Sequence, residues 1–342
     1  MGINSGYRRL TKITIFLSIF VVFAGSMVKV TGSGMGCPDW PKCFGYYIPP
    51  FDEEQLIWKS NFHYNSGEMI FWQGDLLKAN KDFSTTSAFT FANWSIYDEH
   101  DYKIYDPIHT IIEYINRLVS VLLGFSVLLM IVFAFKSSRL RKMNLFFAFL
   151  SLSLIGFNAW LGKLVVEGVL NPSDISAHML AAFVLIIALS FTHTQNSTPS
   201  SMNYSRLYKG IQMGCFLYLL YQLLIGVILR QTFDTYSDVS RELWVENAGI
   251  NFLLHRSSSL LYATAVIITY TILKTVPKSS FEWKNFKWVI LLTLAEIFSG
   301  AIMGYLQVPK SAQPFHVIVS SILLVVQSNL FFKIFFKVKH NG

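Results

Sequence analysis

The sequence predicts an all-α integral membrane protein of eight transmembrane helices, arranged as two pseudo-symmetric four-helix bundles. Three observations predict it. Of 342 residues, 53% are hydrophobic, 16% aromatic and only 14% charged, more apolar surface than a soluble core of that length buries. Eight apolar stretches, each long enough to cross about 30 Å of hydrocarbon as a helix, occupy roughly 13–30, 111–135, 143–162, 175–193, 210–229, 251–273, 288–306 and 315–333. Finally, the polar residues at the span ends recur between the first four spans and the last four.

The first span follows Arg8, Arg9 and Lys12 and runs into Val30-Thr31-Gly32-Ser33-Gly34. With no small-x-small cleavage site at its end, it reads as an anchor rather than a signal peptide. Residues 31–109 are the one long segment between spans, with Pro49-Pro50, Asp52, Glu53, Glu54 and many aromatics. That length and aromatic content suit a functional loop or a small folded cap. Within it, Cys37 and Cys43 flank Pro38-Asp39-Trp40-Pro41-Lys42, a spacing that matches no standard metal or thioredoxin motif and suits a disulfide-closed turn. Such a bond could be structural or could exchange with a redox partner. The run Gly32-Ser33-Gly34-Met35-Gly36 lacks the Gly-Lys-Ser/Thr ending of a phosphate cradle. His63, His100 and His109 share this segment; His109 would serve as a metal ligand only if the loop folded back.

The second span carries Glu113, Asn116 and Arg117. Glu113 lies three residues before Asn116, on nearly the same helix face. A carboxylate at that depth is costly unless paired or used, so it is the candidate acid, base or cation-stabilising group; the alternative is pairing with Arg117 at i,i+4. The third span ends near Gly162 and the fourth begins with Pro172 and His178. A linker at 194–205, rich in Ser, Thr, Asn and Pro, divides the chain into 1–194 and 206–342. Cys215 in the fifth span reads as a small packing residue. The sixth span opens on Leu253-Leu254-His255-Arg256, with apolar residues in place of Glu113. Gly304 precedes a loop with Pro309 and Pro314 that ends at His316.

Basic residues set the expected orientation. Arg8, Arg9 and Lys12, then Lys136, Arg139, Arg141 and Lys142, Arg206 and Lys209, Lys274 to Lys287, and Lys333, Lys337 and Lys339 all fall on one side. The other short loops hold only Lys163, Arg230, Arg241 and Lys310. Both termini are therefore expected to be cytoplasmic. The net charge of +8 follows from this topology and does not call for nucleic acid. Without an Arg- and Ser-rich transit segment, a bacterial inner membrane is the expected location.

His255 and His316 near the ends of two spans can close both axial positions of a haem iron, one imidazole nitrogen each. The first half repeats the pattern as Asn116 and His178. Zinc would require about four ligands, which the neighbouring sequence does not supply. Arg117 and Arg256, directly after the ligand-type positions, suit salt bridges to haem propionates or snorkelling to water; Lys29, Lys163 and Arg230 are weaker candidates for the same role. From the residues, three functions stand: a haem-modifying enzyme, a non-catalytic b-type cytochrome, and a haem carrier. Glu113 favours the first.

Val30 to Cys43, the Glu-Tyr-x-x-Arg segment at 113–117, Gly162-Lys163-Leu164-Val165-Val166 and the histidines at 178, 255 and 316 together resemble the haem A synthase family. The resemblance spans nearly the whole chain. It implies that His255 and His316 ligate a b-type haem cofactor in the second half, with Arg256 beside it. In the first half it implies that His178, with Asn116 and Arg117, meets the substrate haem O. Glu113 is then implied in oxidising the C8 methyl group to a formyl group, by hydroxylations followed by loss of water, with electrons passing through the b haem. Cys37 and Cys43 match the family's outer cysteine pair, for which a disulfide and a redox role both stand. Haem O synthase, an electron acceptor and a second copy of the chain are the implied partners. Two departures matter: many members have histidine in place of Asn116, and arginine is common in place of Lys29, whose ammonium lacks the bidentate fork.

Overall fold

Each expected span is a helix, and every helix starts before the apolar stretch that marks it. The computed structural model describes residues 3–98, 104–137, 140–197, 204–274, 277–278 and 280–336; His100, Arg139, Lys337 and Lys339 lie outside them. The helices are α1 (Ile3–Thr31), α2 (Pro107–Phe135), α3 (Arg141–Glu167), α4 (Pro172–Gln195), α5 (Arg206–Thr235), α6 (Trp244–Leu273), α7 (Phe281–Tyr305) and α8 (Ala312–Phe335). All eight are long and apolar enough to cross a membrane.

Hydropathy marks only the deep part of a helix, whereas the ends are set by capping. Asp106 accepts from the amides of Ile108 and His109 ahead of Pro107, and Asn171 accepts from Ser173 ahead of Pro172. Ser205 and Ser280 likewise accept from Tyr208 and Trp283. Each satisfies a first-turn N–H that has no helical partner, and proline at the first helical position needs none. Helix α6, which starts at Trp244, bends at Gly249 (φ 49°, ψ −119°), a left-handed position open to glycine. Its apolar crossing begins just beyond the bend, where the sequence places it.

In the first half α1 packs on α2 and α4, while α3 packs on α2 and α4. In the second half α5, α6, α7 and α8 repeat that ring. The ligand-type residues therefore come from diagonal helices: α2 and α4 in the first bundle, α6 and α8 in the second. The bundles meet through α4 and α8, with α1 also against α8 and α4 against α5. Fully buried Ser151, Ser190, Ser321 and Ser328 are small enough to let helices approach closely. At the seam, Thr194 donates to Asn329 at 2.9 Å and Phe191 meets Phe332 edge-on at 5.0 Å.

The duplication extends to the backbone. After α3, Val169 and Leu170 both have positive φ (49° and 61°), and after α7 Gln307 and Val308 do the same (58° and 52°). Two consecutive left-handed residues without glycine are uncommon, so their recurrence at the same place marks a repeated unit.

Residues 32–98 form the folded cap that the aromatic content allows. Strands β1 (His63–Tyr64) and β4 (Phe83–Ser84) pair, and β2 (Met69–Trp72), β3 (Asp75–Ala79) and β5 (Trp94–Ile96) form an antiparallel sheet in the order β2-β3-β5. Gln73 and Gly74, both with positive φ, make the tight turn joining β2 to β3, whose twist matches that of the strands. Leu56, Met69, Leu76 and Tyr97 pack beneath Cys37 and Cys43. The helical ends on this side are called the cap side below.

Candidate functional site

In the second bundle, α6 and α8 bring His255 and His316 face to edge, ring centres 6.3 Å apart and planes at 78°. A metal held by one nitrogen from each ring at about 2 Å puts the ring centres about 6 Å apart, so this spacing suits a shared iron. His255 Nδ1 is buried without a hydrogen-bond partner. His316 Nδ1 lies 2.9 Å from Glu296 Oε2 and 2.8 Å from Ser299 Oγ, both on α7. Arg256 extends over the Phe252 ring, 5.6 Å from its centre, and is exposed toward the cap side.

The first bundle presents Asn116 from α2 and His178 from α4, with Asn116 Oδ1 and His178 Nδ1 buried and unpartnered. The Asn158 main-chain carbonyl lies against the His178 ring. Glu113, 4% exposed, accepts from the Cys37 amide at 2.9 Å on one oxygen and from Arg117 at 2.5 Å on the other. The pairing offered by the i,i+4 spacing is thus present. Arg117 also donates to the carbonyls of Asp39 (2.8 Å) and Lys42 (2.7 Å). Its guanidinium therefore ties α2 to the Cys37–Cys43 loop.

That loop is closed by the disulfide, with both cysteines buried. Thr110 donates to the Gly36 carbonyl at 2.7 Å. A Cβ on Gly36 would lie 2.4 Å from the His109 carbonyl oxygen, so only glycine lets the loop sit this close on α2. Asp39 accepts from the Gly45 amide at 3.0 Å. Burial raises its carboxyl pKa, while that amide and Arg117 oppose the rise. A cavity of about 270 Å³ opens between this loop and the end of α3 at Val166 and Glu167, apart from both imidazole positions.

A feature that the sequence reading missed links the bundles. Beside each ligand-type residue stands a glycine from the preceding helix. A Cβ on Gly25 would lie 3.8 Å from Asn116 Oδ1, on Gly162 3.5 Å from His178 Cε1, on Gly226 3.1 Å from His255 Cε1, and on Gly300 3.7 Å from His316 Cε1. Four hairpins thus repeat one arrangement, in which an absent side chain makes room for a polar group aimed into the bundle. The counterpart of Gly162 is Gly300 rather than Gly304, which faces Phe252.

A second correction concerns charge. At the place on α6 equivalent to Glu113 the second half has no carboxylate: Phe252 stands there, four residues before Arg256. Glu296 nevertheless supplies one from α7, so carboxylates border both pockets. Along the chain nothing marks Glu296 as a neighbour of His316; only the packing of α7 on α8 brings them together. Among the weaker propionate candidates, Lys29 and Arg230 both meet Asp234, at 3.0 and 3.1 Å, and Lys163 meets Glu167 at 3.1 Å. His109 stays in the first turn of α2 beside Asp106, at 4.0 Å. His63 contacts Ser84 in the cap, and Cys215 is buried in the second-bundle core, as expected of a packing residue.

The residues present fit haem. Two imidazoles stand at the spacing of a shared iron, and His255, His178 and Asn116 aim buried, unpartnered polar atoms into the bundles, where such groups are costly unless something meets them.

The family model COX15-CtaA, described as cytochrome oxidase assembly protein, matches residues 8–328. A heme A synthase of Shouchella clausii is 24% identical over 94% of this chain and 95% of its own. Another, from Halalkalibacterium halodurans, is 25% identical over 80% of this chain and 79% of its own. A heme A synthase of Shewanella oneidensis is 25% identical over 53% of this chain and 42% of its own.

Proposed function

The chain belongs to the COX15-CtaA family of cytochrome oxidase assembly proteins, and from that premise we propose that it converts haem O to haem A. It is a multi-pass membrane protein of haem A biosynthesis. The observation that carries the finer reading is the diagonal pair His255–His316 and its incomplete copy Asn116–His178. One bundle has two imidazoles; the other has one imidazole and a weakly ligating carboxamide.

In this reading 206–342 is the cofactor half. His255 and His316 hold haem b, and Arg256 meets a propionate. When bound, haem b would supply one-electron transfer.

Residues 1–194 are the substrate half. His178 holds the iron of haem O from one side, and Asn116 leaves the other side open to water. The C8 methyl group is hydroxylated twice, each time taking its oxygen from water and giving up an electron pair to the electron acceptor and protons to water, and loss of water from the resulting diol leaves the formyl group. Glu113 has about four lone-pair positions on its two oxygens. The Cys37 amide and Arg117 use one on each oxygen, leaving the others for a water or a developing cation beside the porphyrin edge. A carboxylate so fixed can take a proton from attacking water or stabilise positive charge on the methyl carbon. Arg117 and the disulfide loop keep it from turning away. The basic loops support a bacterial inner-membrane protein with both termini facing the cytoplasm and the cap on the outer side. Haem O synthase and an electron acceptor are the partners the reaction requires.

Glu113→Gln tests the assignment, since it retains the shape and the acceptor for the Cys37 amide while removing the charge. Turnover to haem A is expected to fall by about 10²- to 10⁴-fold, the usual contribution of a positioned acid or base, with bound haem b unchanged. Haem A formed at the wild-type rate would remove Glu113 from the chemistry.

A further inference from the structure

Glu296 contacts the imidazole of His316 at Nδ1, and the expected reaction assigns it no task. Its Oε2 lies 2.9 Å from His316 Nδ1. Its other oxygen, Oε1, accepts from Ser320 at 2.9 Å, one helical turn beyond His316 on α8. Ser299, on α7 like Glu296, donates its hydroxyl hydrogen to the Glu296 main-chain carbonyl at 3.1 Å, and its oxygen lies 2.8 Å from His316 Nδ1. With its hydrogen so committed, Ser299 offers Nδ1 a lone pair, as does the carboxylate. Two acceptors converge on Nδ1, so the ring proton sits there and Nε2 is left with the lone pair that a metal takes. The site is 15–16% exposed, which keeps the carboxylate's field from being fully screened.

The two other ligand-type histidines lack this arrangement. His255 Nδ1 has no partner, and His178 has a neutral main-chain carbonyl against its ring. Among these three histidines, only His316 faces a carboxylate.

We propose that Glu296 is a positioning residue that, with Ser299 and Ser320, fixes the tautomer of His316 and gives its imidazole anionic character, thereby lowering the reduction potential of the haem in the second bundle. The inference rests on the reading of His255 and His316 as axial ligands. An imidazole that donates to a carboxylate is a stronger σ-donor and stabilises ferric over ferrous iron. The haem is thereby made a better electron donor than one held by two neutral imidazoles. Because the carboxylate comes from α7 and the ring from α8, the same contact fixes the ring's rotation.

The test is a redox titration and an electron-spin-resonance spectrum of the purified haem-loaded protein, wild type and Glu296→Gln. The amide can still accept from Nδ1 but carries no charge. The equilibrium is expected to shift about tenfold toward ferrous haem, a rise of about 59 mV for one electron, and the ferric spectrum to move toward that of two neutral imidazoles. Haem retained at an unchanged potential and spectrum overturns the proposal. If Glu296→Gln does not retain haem, Glu296→Asp carries the test, keeping the charge but withdrawing it from Nδ1; its potential should rise part of the way, and an unchanged value is again contrary. Failure of the underlying reading is distinguishable, because His255→Ala and His316→Ala would then keep the wild-type low-spin haem spectrum.

Discussion

Glu113 and Arg117 together carry more structural duty than either does alone. A buried pair broken by removing one partner typically costs about 3–5 kcal/mol, because the remaining charge is uncompensated. Glu113→Ala and Glu113→Gln both leave Arg117 uncompensated and are expected to destabilise the cap-side end of the first bundle as well as to lower turnover; the glutamine variant is the cleaner probe because it keeps the side-chain volume and an acceptor for the Cys37 amide. Asn116 offers the opposite experiment. Gly25 leaves space beside it, so Asn116→His should complete a second bis-imidazole site and add a low-spin haem signal from the first bundle, with slower turnover as the open axial position closes. Absorption spectra of the purified variant check this, and an unchanged low-spin content would mean that α2 and α4 do not face a common iron.

The glycines are legible in the sequence as residues but not as a device. A helix with an internal glycine shows nothing of which neighbour fills the groove. Only the packed hairpins reveal that Gly25, Gly162, Gly226 and Gly300 each stand beside a ligand-type position. Adding a methyl to a packed interior costs about 1–3 kcal/mol, and the clearance grades the effect. Gly226→Ala, at 3.1 Å from His255, should lower haem b content, whereas Gly300→Ala, at 3.7 Å from His316, should be milder; the haem-to-protein ratio of the two variants checks the order. At the cap, Gly36→Ala forces a methyl onto the backbone of His109 and Thr110, where no side-chain rotation relieves it. Faster proteolysis within 32–98 than in the wild type is the expected outcome. The caps at Asp106, Asn171, Ser205 and Ser280 explain why hydropathy located the helices yet set most of their starts several residues late. The cap strands were not legible, because segments of two to five residues are too short for a period-two pattern to stand out.

At the scale of the whole molecule, duplication supplies two similar bundles, and a few differences separate them. The second has two imidazoles, with Glu296 behind one of them. The first has one imidazole, a carboxamide, and a carboxylate tied to a disulfide-closed loop. Span count, the repeat and the histidine positions were readable because they lie along the chain. The Glu296–His316 contact and the hold of Arg117 on Asp39 and Lys42 were not, because each joins segments that only folding brings together. The central claim is that the first bundle is a reaction site and the second a cofactor site. Mass analysis of haems extracted from the purified protein, expressed with and without a haem O supply, tests it most directly. Haem b under both conditions, joined by haem A or its hydroxylated precursor only when haem O is supplied, is the expected result; haem b with supplied haem O left unaltered would contradict it.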